Sequence, residues 1–245
     1  MRVFLYVALL GAVYAHAADP VRFTSGPSRV SLVELYTSEG CSSCPPADQW
    51  LGALRGDHGL WKEFVPVEFH VNYWDSLGWT DRLSNRQFTA REYAYAAAWG
   101  SQNVYTPCFV RNGAEWRPSW GASDPNGRPE GELSVELKGS DCTAEFRTGA
   151  PQSQGNYMVH IALLGGGISS RVTAGENRGS TLEHEFVVLG LAEKKLALDG
   201  SGLALVARTS LPSPSVPDSK RLALAAWVTR RDDLTPLQAT GGWLQ

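Results

Sequence analysis

The chain has 245 residues and a formal net charge of -3, with 43% apolar and 19% charged residues. These values predict a soluble globular protein of one large or two small domains, and they exclude a nucleic-acid-binding protein, which needs a basic stripe. Four cysteines are too few for a fold built on disulfides, and they are Cys41, Cys44, Cys108 and Cys142.

The N-terminus has the three parts of a secretory signal in order. Arg2 supplies a positive charge, and the apolar run Val3 to Val13 is far shorter than the ~20 residues that span a bilayer. An Ala-His-Ala tripeptide ending at Ala17 has the small-x-small pattern that signal peptidase cleaves. We therefore expect a signal peptide over residues 1–17 and a secreted or periplasmic mature protein without a membrane span. Such a compartment is oxidising and permits disulfides.

The first elements predict a strand, a helix and a second strand. Val30 to Tyr36 and Phe64 to Val71 are apolar and β-branched, which favours buried strands. Between them, directly after Cys41 and Cys44, apolar residues recur at helical spacing; they are Ala47, Trp50, Leu51 and Leu54. Prolines at positions 45 and 46 suit the first turn of a helix. The cysteine pair is therefore expected at a helix N-terminus.

The rest of the chain divides at a predicted linker. A second helix is expected after Ser84, which forms a Ser-x-x-Gln capping box with Gln87. Val104 to Asn112 is strand-like and ends in an Asn-Gly hairpin turn. Gly and Pro mark residues 117–131 as a linker between an α/β domain over 28–116 and a β-rich, sandwich-like domain over 132–245.

The Cys-x-x-Cys spacing is typical of a redox pair, half of a metal site, or a plain structural disulfide. Structural zinc needs a second ligand pair at similar spacing, which neither Cys108 nor Cys142 provides. A helix N-terminus favours redox chemistry, because its free N–H groups and dipole stabilise a thiolate at Cys41. Cys44, one turn further on, is then the resolving thiol that expels a bound partner.

Two further features support the redox interpretation. Glu34 interrupts the first strand and is predicted to lie beneath the helix start, where a buried carboxyl exchanges a proton with Cys44. The alternative is an edge-strand Glu that faces water. Thr106-Pro107 precedes a strand, as does the cis-proline opposite the cysteine pair in thioredoxin-type folds, where the residue before the proline pairs with an incoming chain.

Four segments resemble a secreted thioredoxin-like family catalogued as domain of unknown function 1223; they are LYTSEGCSSCPPAD, FHVNYWDSLGW, VYTPCFVRNG and GENRGSTLEHEFVV. The resemblance implies a thioredoxin-like N-terminal fold, a β-rich C-terminal part and a redox-type cysteine motif. On this likeness, four residues take the positions of buried acid, nucleophile, resolving thiol and cis-proline: Glu34, Cys41, Cys44 and Pro107. The family has no settled substrate.

The chain departs from the family pattern at Cys108, directly after the proline. Of the three connectivities that four cysteines allow, we predict Cys41–Cys44 together with a structural Cys108–Cys142 disulfide. A buried free thiol and a relay thiol at Cys108 are the alternatives.

The favoured hypothesis is an exported thiol–disulfide oxidoreductase that acts on protein thiols or disulfides. It needs no cofactor beyond the redox-active Cys41–Cys44 disulfide. Thr106 is expected to hold the partner chain, and Tyr73 and Trp74 to form an apolar patch that faces the substrate.

Two rival functions stay open. One is a copper or other soft-metal binding protein in which His70 joins Cys41 and Cys44 as a ligand. For His70 itself, the alternative is a hydrogen-bonded histidine at a strand end. The other rival function is a binding module whose cysteines form a static disulfide. Gly175 to Gly179 is predicted to be an inter-domain turn with a polar contact.

Overall fold

The structure is a computed structural model that describes residues 19–26, 28–118, 131–148, 156–216 and 218–244. The predicted signal peptide, and all but the ends of the predicted linker, lie outside these residues. The helices are α1 (Pro45–Ala53) and α2 (Arg86–Ala98), with short 3-10 turns at Leu54–Gly56 and Asp75–Leu77. The strands are β1 (Val21–Thr24), β2 (Ser31–Thr37), β3 (Phe64–His70), β4 (Cys108–Arg111), β5 (Ala114–Glu115), β6 (Gly131–Lys138), β7 (Asp141–Thr148), β8 (Tyr157–Gly166), β9 (Ile168–Arg171), β10 (Thr181–His184), β11 (Val187–Lys195), β12 (Ala197–Leu198), β13 (Leu205–Ser210), β14 (Arg221–Arg230) and β15 (Gln238–Leu244).

A mixed eight-stranded sheet organises the fold, in the order β15-β14-β8-β11-β3-β2-β4-β5. β2 pairs with β3 in parallel and β3 pairs in parallel with β11, where Val187 lies opposite Glu68. The remaining pairs of this sheet are antiparallel. Strands from both sides of the predicted linker therefore belong to one hydrogen-bonded sheet, and the expected mixed α/β class is confirmed at that level.

A five-stranded sheet, in the order β1-β6-β7-β13-β12, covers β8 and β14 of the larger sheet. The predicted alternation in β6 is confirmed, since Leu133, Val135 and Leu137 are buried between the two sheets. Burial of these aliphatic side chains stabilises the layer by about 1.5–3 kcal/mol for each one. Within the described residues, no helix is long and apolar enough to cross a membrane.

Helix α1 follows the predicted pattern, with proline at its first positions and Leu51 fully buried. The predicted start of α2 is wrong by one residue. Asn85 is the cap, because its side chain accepts a hydrogen bond from the Gln87 N–H at 2.8 Å. Ser84 instead donates its hydroxyl to Asp75 Oδ2 at 3.0 Å, which leaves no capping box at that position.

Two turns set strand boundaries near the cysteines. The predicted Asn112-Gly113 turn is confirmed, since both residues have positive φ values, 52° and 85°, between β4 and β5. The strand predicted over Glu183 to Leu189 is interrupted, because Phe186 adopts a φ of 61° between β10 and β11. This break separates the edge hairpin β9–β10 from the main sheet and places His184 at its end.

Candidate functional site

Cys41 and Cys44 form a disulfide at the start of α1. Their Cα atoms are 5.5 Å apart, and Cys44 is the residue that caps the helix. Both residues are 0% exposed, so the predicted pair is joined and also covered. The Ser43 hydroxyl lies 3.3 Å from Cys41 Sγ, where it can donate a hydrogen bond to sulfur. The Ser43 hydroxyl is a hydrogen-bond donor near the sulfur, whereas Pro45 and Pro46 bring no N–H groups to the first turn of the helix.

The Thr106 segment lies against Cys41, as the sequence predicted. The Thr106-Pro107 peptide bond is cis, and the Thr106 carbonyl oxygen is 3.8 Å from Cys41 Sγ. Trp74 donates its indole N–H to Thr106 Oγ1 at 2.8 Å. Trp74 therefore positions Thr106 beside the disulfide.

Tyr73 lies in the same loop and is partly buried against the main core. Its hydroxyl has no hydrogen-bond partner among the described residues, and burial raises the pKa of this phenol well above its usual value. Only Trp74 of the two predicted aromatic residues has a hydrogen bond to Thr106 among these residues.

A loop from the C-terminal half covers the cysteine loop. Asn177 donates its side-chain amide to the carbonyl oxygens of Glu39 and Cys41, both at 2.9 Å. Glu176 accepts a hydrogen bond from the Ser42 N–H at 3.0 Å. Gly175 to Gly179 is thus a turn with polar contacts, as predicted, and those contacts are made to the cysteine loop itself.

The role predicted for Glu34 is wrong. Glu34 is fully buried, but its carboxylate binds Arg91 Nε at 2.7 Å and accepts from Tyr36 and Tyr95 hydroxyls at 3.0 and 2.5 Å. Side chains alternate along a strand, so Glu34 lies on the face of β2 opposite to Thr37, which contacts α1. Glu34 therefore points toward α2 and away from the cysteine pair.

Helix α1 itself carries a buried acid, Asp48, which was not predicted from the sequence. It follows Cys44 by one helical turn, and its Oδ1 accepts a hydrogen bond from the Thr37 hydroxyl at 2.6 Å. Burial, together with the nearby Glu68 charge, raises the pKa of its carboxyl to about 7. The sequence does contain a signal for a buried acid here, because Asp48 lies four residues after Cys44 on the apolar face of the predicted helix.

His70 belongs to a buried network of carboxylates and not to the cysteines. Its Nδ1 lies 2.6 Å from Asp81 Oδ2, and its Nε2 lies 2.8 Å from Glu68 Oε1. His184 Nδ1 lies 2.9 Å from the same Glu68 oxygen. The ring nitrogens of His70 face these carboxylates, and the group of possible metal donors that includes His70 contains no cysteine, so the described residues do not form the alternative metal set of Cys41, Cys44 and His70.

The predicted Cys108–Cys142 disulfide is wrong, since both residues are free thiols. Cys108 lies in β4 within the core of the large sheet, whereas Cys142 lies in β7 within the core between the two sheets. Burial raises the pKa of Cys108 to about 12 and that of Cys142 to about 11, so neither thiol is reactive near neutral pH. The alternative of a buried free thiol at Cys108 is confirmed.

Two solved structures are similar to this chain over most of its length. A crystal structure of a protein from Agrobacterium tumefaciens superimposes with a TM-score of 0.63 and 25% identity, covering 87% of this chain and 94% of that one. HBP35 of Porphyromonas gingivalis has a TM-score of 0.63 at 14% identity, covering 89% of this chain and 76% of that one, a likeness that concerns the fold alone.

No curated protein matches the chain. The profile of one protein family, described as "Protein of unknown function (DUF1223)", matches residues 32–229. That span includes the cysteine pair, the Thr106 segment, the covering loop and the buried histidines. The chain belongs to the DUF1223 family.

Proposed function

We propose that this protein is an exported thiol–disulfide oxidoreductase with a thioredoxin-like site, acting on protein thiols or disulfides. The observation that carries the proposal is a Cys-x-x-Cys disulfide at a helix start whose first sulfur lies 3.8 Å from the Thr106 carbonyl oxygen. A static disulfide needs neither a helix N-terminus nor an adjacent backbone segment. Both features favour a thiolate at Cys41 and a docked partner chain.

The exchange starts from the disulfide that the structure contains. A partner thiolate attacks Cys41 Sγ, the Cys41–Cys44 bond breaks, and its electron pair leaves on Cys44 Sγ. A second partner thiolate then attacks the partner sulfur of the mixed disulfide and releases Cys41 as a thiolate. The partner loses two electrons and becomes a disulfide, and the cysteine pair is reduced to two thiols. The reverse sequence reduces a partner disulfide.

Asp48 supplies the proton that the leaving sulfur needs. It lies one turn beyond Cys44 on the same helix, and its pKa of about 7 leaves a substantial share of the carboxyl protonated near neutral pH. In the forward direction the Asp48 carboxyl protonates the Cys44 thiolate, and in the reverse direction its carboxylate accepts the proton. This assigns to Asp48 the role that the sequence had suggested for Glu34.

Thr106 and the covering loop control access to the sulfur. The Thr106 carbonyl oxygen is an acceptor for a backbone N–H of a partner that approaches Cys41. Because Cys41 is 0% exposed, the partner has to displace the loop that Asn177 fastens to the Cys41 carbonyl. A docked chain and the loop therefore compete for the same surface.

A trapping experiment with a defined peptide tests the proposal. The probe is a peptide closed by one intramolecular disulfide, and the variants are Cys44→Ser and Cys41→Ser. Without the resolving thiol, Cys44→Ser should accumulate a mixed disulfide through Cys41, seen by mass spectrometry as addition of one peptide. Cys41→Ser should form none, and Cys108→Ser is the control that should exchange like the wild type.

The proposal fails under either of two results. One is the absence of an adduct on Cys44→Ser while the folded wild type, first reduced with dithiothreitol and freed of it, leaves the peptide disulfide intact. The other is an equal adduct on Cys41→Ser, which would place the reactive sulfur elsewhere.

A further inference from the structure

Three potential metal donors converge beneath the cysteine loop. Glu68 and His70 lie two residues apart on β3 and therefore share one face of the strand. His184 ends β10, and the break at Phe186 places it against the same face. Glu68 Oε1 lies 2.8 Å from His70 Nε2 and 2.9 Å from His184 Nδ1, and the three donor atoms lie within 4.8 Å of one another.

Each histidine has a second carboxylate at its outer ring nitrogen. His70 Nδ1 lies 2.6 Å from Asp81 Oδ2, and that carboxylate is itself fixed by the Glu39 and Leu83 N–H groups, both at 2.9 Å. His184 Nε2 faces Glu39 Oε1 at 3.5 Å. In metal centres, a carboxylate at the outer nitrogen of each histidine ligand fixes the orientation of the imidazole.

The cluster has buried polar atoms that the protein leaves without hydrogen bonds. Among the described residues, Glu68 Oε2, His184 Nε2 and Glu39 Oε1 have no hydrogen-bond partner, and all three side chains are 0% exposed. Buried polar groups are nearly always satisfied, because an unpaired one costs about 1–3 kcal/mol and more when it is charged. A cation bound by Glu68 supplies the missing interaction at that carboxylate.

We propose that Glu68, His70 and His184 bind a divalent transition-metal ion of the zinc class, with Asp81 and Glu39 orienting the imidazoles. Two imidazoles and one carboxylate form a borderline-hard donor set, which suits zinc better than Cu(I). Ligands about 2.1 Å from a tetrahedral ion are about 3.4 Å apart, so movements of less than about 1 Å are enough to admit it. Three protein ligands leave one coordination position for water.

A cavity lies beside Asp48 and the last residues of β10 before His184. Its volume is about 200 Å³, and its walls come from the start of α1 and from β10: Pro45, Asp48, Gln49, Thr181, Leu182 and Glu183. Asp48 lies near enough to Glu68 and His184 for their charges to interact. Gln49 and Glu183 of its lining are exposed, whereas Asp48 is buried.

Zinc binding at this site can be tested apart from the proposed redox function, because the cysteines are not ligands and remain joined. The test therefore uses the oxidised full chain, stripped with a chelator and titrated with Zn²⁺ alone against a chromophoric competitor. We expect one Zn²⁺ per chain. Glu68→Gln should weaken Zn²⁺ binding at least about 100-fold. Asp81→Asn, which removes the carboxylate that orients the His70 ring, should weaken it about 10–100-fold. His160→Gln is the matched control, since His160 is also buried beside a carboxylate, Glu193, but lies away from the cluster.

X-ray absorption on the zinc-loaded wild type keeps the proposal testable if Glu68→Gln does not fold. The expected spectrum has only nitrogen and oxygen scatterers at about 2.0–2.2 Å and imidazole multiple scattering. Sulfur at about 2.3 Å would contradict the proposal. So would an oxidised chain that binds no Zn²⁺, or a folded Glu68→Gln variant that binds as tightly as His160→Gln.

Discussion

Two buried ionic clusters lie on opposite faces of the central sheet, and they differ in how fully their charges are paired. On the α2 face, the Glu34 carboxylate has Arg91 and the hydroxyls of Tyr36 and Tyr95 as partners. The Arg91 guanidinium also lies 5.2 Å from the centre of the Trp227 ring. Every charge in this cluster therefore has a nearby partner of complementary character.

On the α1 face, the cluster has more carboxylates than cations. Glu68 shares one oxygen between His70 and His184 and leaves its other oxygen without a partner among the described residues. Burial by itself lowers the pKa of the His184 imidazole. The carboxylates of Glu39 and Glu68 outweigh this effect and raise that pKa to about 9. The complete pairing on the α2 face is typical of a structural cluster. The unpaired carboxylate oxygens on the α1 face can still bind a proton or a cation.

The largest expected effect comes from opening the paired cluster. Glu34→Gln leaves the buried Arg91 guanidinium without its counter-charge and should lower the free energy of unfolding by about 3–5 kcal/mol in chemical denaturation. Asp218→Asn is the control, because it removes an exposed partner of Arg82 and should cost less than about 1 kcal/mol. Equal losses of stability in the two variants would show that the Glu34–Arg91 pair does not stabilise the fold more than an exposed ion pair. Slower disulfide exchange in folded Glu34→Gln would contradict the assignment of this cluster to stability alone.

Glu92 tests whether an unpaired buried carboxyl titrates near neutrality outside the α1 cluster. Both of its oxygens lack hydrogen-bond partners among the described residues. Its titratable neighbours are Tyr73 and Cys108. Burial raises the pKa of its carboxyl from 4.5 to about 7. The folded state then holds this proton more tightly than the unfolded state, so stability falls as pH rises from about 4.5 to about 7.

Glu92→Gln removes that loss. We expect the variant to be more stable than the wild type by up to about 3 kcal/mol at pH 8 and nearly equal to it at pH 4, in urea denaturation. Glu63→Gln, the same substitution at an exposed position, is the matched control. A constant offset between Glu92→Gln and the wild type at all pH values would show that Glu92 does not titrate in this range.

Asp48→Asn removes the proposed proton donor while it keeps the shape of the side chain. The rate of disulfide reduction, divided by the concentration of attacking thiolate, should fall in the wild type as pH rises through about 7. In Asp48→Asn the profile should be flat and lower by on the order of 100-fold at pH 6. A purely structural role for Asp48 would change the rate without removing the inflection, and that result would contradict the assignment.

The smallest effect is expected at the covering loop. Asn177→Ala removes the hydrogen bonds to Glu39 and Cys41 and should speed reduction of the disulfide about tenfold, which corresponds to about 1.4 kcal/mol. Arg178→Ala changes the next, exposed residue of the same loop and is the control. Unchanged reduction by a thiol reagent in Asn177→Ala would show that the loop does not limit access to Cys41.

Local patterns in the sequence were enough to predict the first part of the fold. The apolar strands β2 and β3, the helix after Cys44 and the Asn112-Gly113 turn depend on residues close together in the chain. The disulfide was predicted for the same reason, since its cysteines are three residues apart. The contact of Thr106 with Cys41 spans 65 residues and was predicted from the cis-proline arrangement of thioredoxin-type folds.

The buried network needed information that no local pattern holds. His184 meets Glu68 across 116 residues of sequence, and Asn177 meets Cys41 across 136. The error at Glu34 has a simple geometric origin, since alternation along a strand shows that a residue is buried but not which face carries α1. Cys108 and Cys142 were paired because an oxidising compartment permits a second disulfide, but β4 and β7 belong to different sheets.

The reduction potential of Cys41–Cys44 decides whether this disulfide exchanges with partner thiols or is inert. The protein is equilibrated with defined ratios of reduced and oxidised glutathione or dithiothreitol, and the thiols are then alkylated and counted by mass spectrometry. A Cys108→Ser, Cys142→Ser background limits the count to the reactive pair. An exchanging pair should have a potential above about -300 mV, whereas a potential well below about -300 mV would identify an inert structural disulfide and contradict the proposed function.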